Sequence, residues 1–197
     1  MYKDKMIEVM KKEQQAIDEL IARLDEQSEL VVEEIAKCKG KVVFIALGKN
    51  GYVCEKAAAT FSSTSIPSIF VHATECYHGD FGILTKEDFV FLVSNSGSTA
   101  EVVGAIPVIH SKGIKVCAIT KNADSELALK SDYRLLLPDC GEADHLNLVP
   151  TSSSTATLVL LDALACAVMQ KKDFKKEDFH KNHPGGMLGK QLSKEIK

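Results

Sequence analysis

Residues 89–101 read Phe89-Val90-Phe91-Leu92-Val93-Ser94-Asn95-Ser96-Gly97-Ser98-Thr99-Ala100-Glu101. The unbroken apolar run Phe89 to Val93 predicts a strand buried on both faces, as in a parallel sheet. The hydroxyl-rich stretch Ser94 to Thr99 predicts a loop that opens a helix. Backbone amides and short hydroxyls in such a loop hold a phosphate without needing a cationic side chain. Ser98-Thr99-Ala100-Glu101 also fits a capping box, with Ser98 as N-cap and Glu101 reaching back to it. Capping alone leaves Ser94 and Ser96 without a task, so the loop is read as a phosphate site, and Ser98 can serve both purposes.

Working outward, strands alternate with helices. Residues 41–47, 68–71, 88–93, 115–120 and 133–137 predict strands. Residues 52–61, 99–112, 125–130 and 155–170 predict helices, and 48–51 a tight loop. Ahead of them, residues 2–37 place Ile7, Met10, Ile17, Leu20, Val31 and Ile35 among many charges. That is amphipathic helix, with a break near Glu26-Gln27-Ser28. The alternation implies an α/β fold, a three-layer α/β/α sandwich around a parallel sheet of five strands. Neither repeat nor linker stands out, so residues 1–197 are expected to form one domain: a helical arm of about 1–37 and a core of about 38–197. Ligands of such sheets sit at the carboxyl ends of the strands, where strand order reverses. Gly48-Lys49-Asn50-Gly51 and Ser94 to Thr99 both lie at such ends and can converge on one ligand.

Composition excludes several classes. Lys and Arg number 24 against 27 Asp and Glu, a net charge of −3. No global basic field draws nucleic acid or membrane, so an anion must be caught locally. The six cysteines are scattered without a CxxC pair and read as reduced thiols packed as small hydrophobes. The start Met1-Tyr2-Lys3-Asp4-Lys5 does not read as a signal peptide. The apolar run 156–169 carries Asp162 and falls short of the roughly 20 residues of a spanning helix, so it is expected to be a core or interface helix. A cytoplasmic location is expected.

Several side chains are candidates for chemistry. GxGxxG is absent around Gly48, since position 53 is Val, so nicotinamide binding has little support. Lys49 either stabilises an enediolate, pairs with phosphate or is a solvated lysine. Glu75-Cys76-Tyr77-His78-Gly79-Asp80 places acid and imidazole in one loop six residues after His72. A metal pair at His72 and His78 lacks the helical spacing of a zinc site, and His78 is better suited to hydrogen-bonding a polyhydroxy ligand. His183-Pro184-Gly185-Gly186 is either a plain linker or a rigid turn presenting an imidazole as a base.

Together, residues 94–101, Gly48-Lys49-Asn50-Gly51, residues 58–64, His78-Gly79-Asp80, residues 148–157 and His183-Pro184-Gly185-Gly186 resemble the SIS (sugar isomerase) domain. Within that group they resemble the D-arabinose 5-phosphate isomerase family, from roughly residue 35 onward. The resemblance implies a flavodoxin-like five-stranded sheet and interconversion of D-ribulose 5-phosphate with D-arabinose 5-phosphate, feeding Kdo and lipopolysaccharide synthesis. It implies catalytic roles for Lys49, Glu101, Glu142 and His183. Ligand contacts are implied at Gly48, Asn50, Ser65, His72, His78, Ser94, Asn95, Ser96, Ser98 and Thr99, with His72 a candidate for an inhibitory zinc. No redox cofactor or obligatory metal is implied. The end product CMP-Kdo is a possible further ligand, and a homotetramer with sites shared between subunits is expected. This sequence departs from the family at Thr74 to Tyr77, where Gly-Glu-Ala-Ala is usual, and at Ser98, where Glu is common. Tyr77 is expected to narrow the pocket. Many members continue into a pair of CBS modules, whereas this sequence reads as the isomerase domain alone.

For the reaction, Glu142 or His183 is the candidate base at C1 and C2, Glu101 handles hydroxyl protons and Lys49 stabilises the enediolate. Rival readings are another SIS isomerase, acting on a phosphoheptose or a hexulose 6-phosphate, and a catalytically silent phosphosugar or CMP-Kdo sensor. Against a regulator, the acidic N-terminal helices lack the turn signals of a DNA-binding helix-turn-helix.

Overall fold

Five strands, β1 (Val42–Ala46), β2 (Ser68–His72), β3 (Phe89–Val93), β4 (Lys115–Thr120) and β5 (Tyr133–Leu136), form one parallel sheet in the order β2-β1-β3-β4-β5. The structure, a computed structural model, describes residues 1–195. All five strands fall within a residue or two of their expected places. Every residue of β1 and β3 is buried, as the continuous apolar runs require. Side chains alternate between two cores. Phe44, Phe89, Phe91 and Ile119 face α1 (Tyr2–Arg23), α2 (Glu26–Lys37), α3 (Gly48–Ser63) and α8 (Ser152–Lys171). Val43, Ile45, Val90 and Leu92 face α4 (Ala73–Cys76), α5 (Ala100–Val103), α6 (Ala105–Ser111) and α7 (Glu126–Lys130). The expected α/β/α sandwich with its five-stranded sheet is what forms, in the flavodoxin-like order that reverses between β1 and β3.

Those two strands are fastened level at their amino ends. The buried Asp88 carboxylate accepts from Lys41 N at 2.7 Å, Thr85 N at 2.8 Å and Lys41 Nζ at 3.0 Å. Pairing Val42 with Phe89 brings Leu47 and Ser94 out side by side at the carboxyl edge.

Four local expectations are corrected. The arm breaks at Leu24-Asp25, where Asp25 caps α2 by accepting from Gln27 N. The tight loop at 48–51 does not exist: Gly48, in left-handed backbone at φ +62°, turns the chain directly into α3, so Lys49 stands in a helix's first turn. The helix expected over 99–112 divides into α5 and α6 at Gly104. Its N-cap is Thr99 without a side-chain cap bond, so the Ser98–Glu101 capping box is absent.

At 20 residues α8 is longer than the sequence suggested and meets the length and composition of a membrane span. Its face Ala156, Leu160, Leu161, Leu164 and Val168 is buried against the sheet and neighbouring helices, and Asp162 pairs with Lys56 at 2.5 Å. That is a core helix. After it come α9 (Lys176–Asn182) and α10 (Gly186–Glu195), joined by the His183-Pro184 turn.

Candidate active site

The loop after β3 is held on all sides. Ser94 is buried, and its Oγ lies 2.7 Å from Thr99 Oγ1 and accepts from Gly97 N at 3.2 Å. The Asn95 carbonyl accepts from Thr120 Oγ1 and Lys121 N, both at 3.1 Å, and the Gly97 carbonyl accepts from Leu127 N at 3.2 Å. Ser96 and Ser98 are exposed, with Ser98 Oγ donating to Ser96 Oγ at 3.0 Å. Ser94 therefore shapes the loop while Ser96 and Ser98 present hydroxyls to solvent. Gly97 permits the tight turn at φ +71°; a Cβ there would sit 2.1 Å from Ser125 Oγ, which caps α7, and 2.8 Å from Thr120 Oγ1. Gly97→Ala is expected to destabilise the domain by about 1–2 kcal/mol from left-handed backbone alone, with the overlap added, and to abolish ligand binding. Thermal unfolding and a phosphosugar titration of the variant check both.

This loop forms one wall of a cleft of about 920 Å³ at the switch point. Lys49 and Asn50 line it from the first turn of α3, Ser153 from the first turn of α8, and residues 138–142 with Asn147 and Leu148 from the long loop after β5. Two long helices thus open onto one space with their N-termini, whose partial positive charge favours an anion. Asn95 lines the cleft and its Oδ1 is buried with no hydrogen-bond partner, an acceptor suited to a sugar hydroxyl.

Glu142 also lines the cleft, but its oxygens are occupied. They accept from Thr151 N at 2.8 Å, Thr151 Oγ1 at 3.2 Å, Ser153 N at 3.2 Å and, in a short contact, Ser153 Oγ. Burial opposes ionisation, but the bonds from Ser153 and Thr151 prevail and hold the carboxyl below the usual glutamate range. A carboxylate so bound is a weak proton acceptor at neutral pH and a good cap for α8. Because its pKa is depressed on folding, its stabilising contribution is present above the unfolded glutamate value, near 4.3, and is lost as pH falls through the folded value. Glu142→Gln, which turns an amide toward the same donors, is expected to cost about 1–2 kcal/mol, the size of a lost helix cap. Unfolding curves across pH 2–7 should show the gap between variant and native protein closing toward the acid end.

The other sequence-predicted residues lie outside the cleft lining. Glu101 is exposed on α5, and its carbonyl accepts from Tyr77 Oη at 2.9 Å. Tyr77 thus braces α5 beside Gly104 rather than narrowing the pocket, which corrects that expectation. His72 ends the edge strand β2 opposite Ala46, with its Nδ1 accepting from Thr74 N at 3.4 Å, and His78 is exposed beyond α4. No cluster of three or more His, Cys, Asp or Glu side chains suited to a metal occurs among the described residues.

Ser65 and His183 are remote. Asn182 Nδ2 donates to Ser65 Oγ at 2.8 Å and to the Ser63 carbonyl at 3.1 Å, beyond the C-terminal end of α3. His183 stacks on Phe179 with ring centroids 3.9 Å apart. Lys49 opens the 16-residue α3 and Ser65 follows it. The two ends are roughly 24 Å apart at 1.5 Å per residue. One chain does not bring His183 to its own cleft.

A profile of the SIS domain family, the sugar isomerase fold, matches residues 34–167. The chain belongs to the SIS domain family. Among solved structures, this SIS domain resembles E. coli CFT073 c3406 in complex with arabinose 5-phosphate, at TM-score 0.88 and 41% identity, covering 91% of this chain and 95% of that one. Among curated proteins, it is 47% identical over 180 residues to arabinose 5-phosphate isomerase KdsD of Pseudomonas aeruginosa, covering 91% of this chain and 55% of the relative. To KdsD of Escherichia coli K12 it is 43% identical over 185 residues, covering 94% and 56%. The SIS domain therefore spans about half the length of these curated relatives.

Proposed function

We propose that this SIS domain interconverts D-arabinose 5-phosphate and D-ribulose 5-phosphate, in the cytoplasm, on the route to Kdo and lipopolysaccharide. The observation that carries the reading is the cleft itself, where the serine loop, Lys49 and the unpartnered Asn95 Oδ1 meet at the strand switch point. Likeness to KdsD and to a protein holding arabinose 5-phosphate supports the pentose phosphate as substrate.

The phosphate is the handle, and its binding energy places C1 and C2. A base removes the C2 proton of the aldose, and the carbonyl oxygen at C1 becomes the oxyanion of a cis-enediolate. Returning the proton to C1 while the O2 proton passes to O1 yields the ketose. Lys49 stabilises the oxyanion, and Glu101, which lies outside its own chain's cleft lining, shuttles hydroxyl protons at a site shared between subunits. With Glu142 committed to α8, His183 is the better base, supplied by a neighbouring subunit of a homotetramer. CMP-Kdo, larger than a pentose phosphate, is a second ligand for so roomy a cleft.

An NMR time course with D-ribulose 5-phosphate in D₂O tests the reading. Formation of D-arabinose 5-phosphate carrying deuterium at C2 is expected. No turnover, with tight binding of a phosphosugar or CMP-Kdo, would reassign the domain to sensing.

A further inference from the structure

Three lysines line the cleft: Lys12, Lys49 and Lys121. Lys121 is neutralised by Asp139 at 2.6 Å. Among the described residues, neither Lys12 nor Lys49 has a carboxylate within ion-pair distance, and Glu142 is taken up by α8. Lys12 comes from α1, which no phosphosugar motif of this sequence includes. Its position is nevertheless well fixed. Four and eight residues further along α1, Ala16 and Leu20 are buried. The adjacent Glu13 accepts from Thr155 Oγ1, in the first turn of α8, at 3.1 Å. This sets the half-buried Lys12 over the start of α8, in the cleft that the serine loop also lines. Glu142 caps that same helix start and lines the same cleft, so Lys12 lies toward the Glu142 end.

We infer that Lys12 is a further ligand-binding residue of this site, taking the oxygen-rich end of the phosphosugar remote from the phosphate. The inference rests on the phosphosugar reading above. An ammonium on a flexible stem suits hydroxyl and carbonyl oxygens as a donor of charge-assisted bonds. Since the phosphate is held by the serine loop, Lys12 acts on the sugar and not on the phosphate. Its contribution is to the bound ground state, so its loss raises KM more than it lowers kcat.

Phosphorus NMR titrations of the intact protein with D-arabinose 5-phosphate and with inorganic phosphate separate the possibilities. Lys12→Met is expected to weaken the sugar phosphate roughly tenfold, the lower range for a charge-assisted bond in a half-open site, while inorganic phosphate binds as before. Lys12→Arg should recover most of the loss, and both variants should melt with the native protein. Undiminished sugar phosphate binding by Lys12→Met, or an equal loss for inorganic phosphate, would overturn the role of Lys12. Native protein that binds inorganic phosphate but not D-arabinose 5-phosphate would instead overturn the proposed function.

Discussion

Replacing Ser94 and Ser96 together by alanine is expected to lower kcat/KM for D-arabinose 5-phosphate by about 10²- to 10⁴-fold, since the lost Ser96 bond to a charged group costs about 1.5–3 kcal/mol and the partners left unpaired by Ser94 about 1–3 kcal/mol. The two serines act differently, and the single variants separate them. Ser96 is exposed at the rim and offers its hydroxyl outward, so Ser96→Ala should raise KM with little change in melting temperature. Ser94 is buried, and its hydroxyl ties Thr99 to the Gly97 amide. Ser94→Ala leaves that amide and hydroxyl without their partner, so it should loosen the loop and lower both the melting temperature and turnover. Turnover falls as well as affinity because phosphate binding positions the reacting carbons. Unchanged steady-state kinetics in the double variant would remove the phosphate from this loop.

The second large effect concerns His183. His183→Ala is expected to slow turnover about 10²- to 10⁴-fold, the usual worth of a general base, with little change in KM. Lys49→Ala should be comparably impaired. The two defects lie at opposite ends of α3, so in a shared-site oligomer they complement each other. Co-refolding the two inactive variants in equal amounts should restore about a quarter of the sites, those pairing an intact Lys49 with an intact His183 from another subunit. No recovery, or a monomer in light scattering, would place the base elsewhere. Glu142→Gln then becomes the decisive comparison, because loss of turnover with an unaltered acid stability profile would return the base to Glu142.

The sheet was legible because its signals are local. Continuous apolar runs such as Val42 to Ala46 and Phe89 to Val93 are buried strands wherever they are placed, and their alternation with helices implies the layers. Helix ends were less legible. The start of α3 at Gly48 and the split at Gly104 depend on backbone angles and on Tyr77 packing across, neither of which periodicity reports. Lys12 was missed altogether, since an isolated lysine among many on an amphipathic arm carries no signal of its own.

By itself, then, the sequence determined the parallel α/β fold and which loops stand at the carboxyl end of its sheet, where the phosphosugar is proposed to bind. Each of these follows from residue order within a few positions. Only the tertiary structure decided which side chains share the cleft. It brought Lys12 to within reach of residues more than a hundred positions away, tied Glu142 to the N-terminus of α8, and left Glu101 and His183 outside the lining. These outcomes depend on how α1, α3 and α8 dock against one sheet face, and that docking is set by long-range burial rather than by neighbours in the chain.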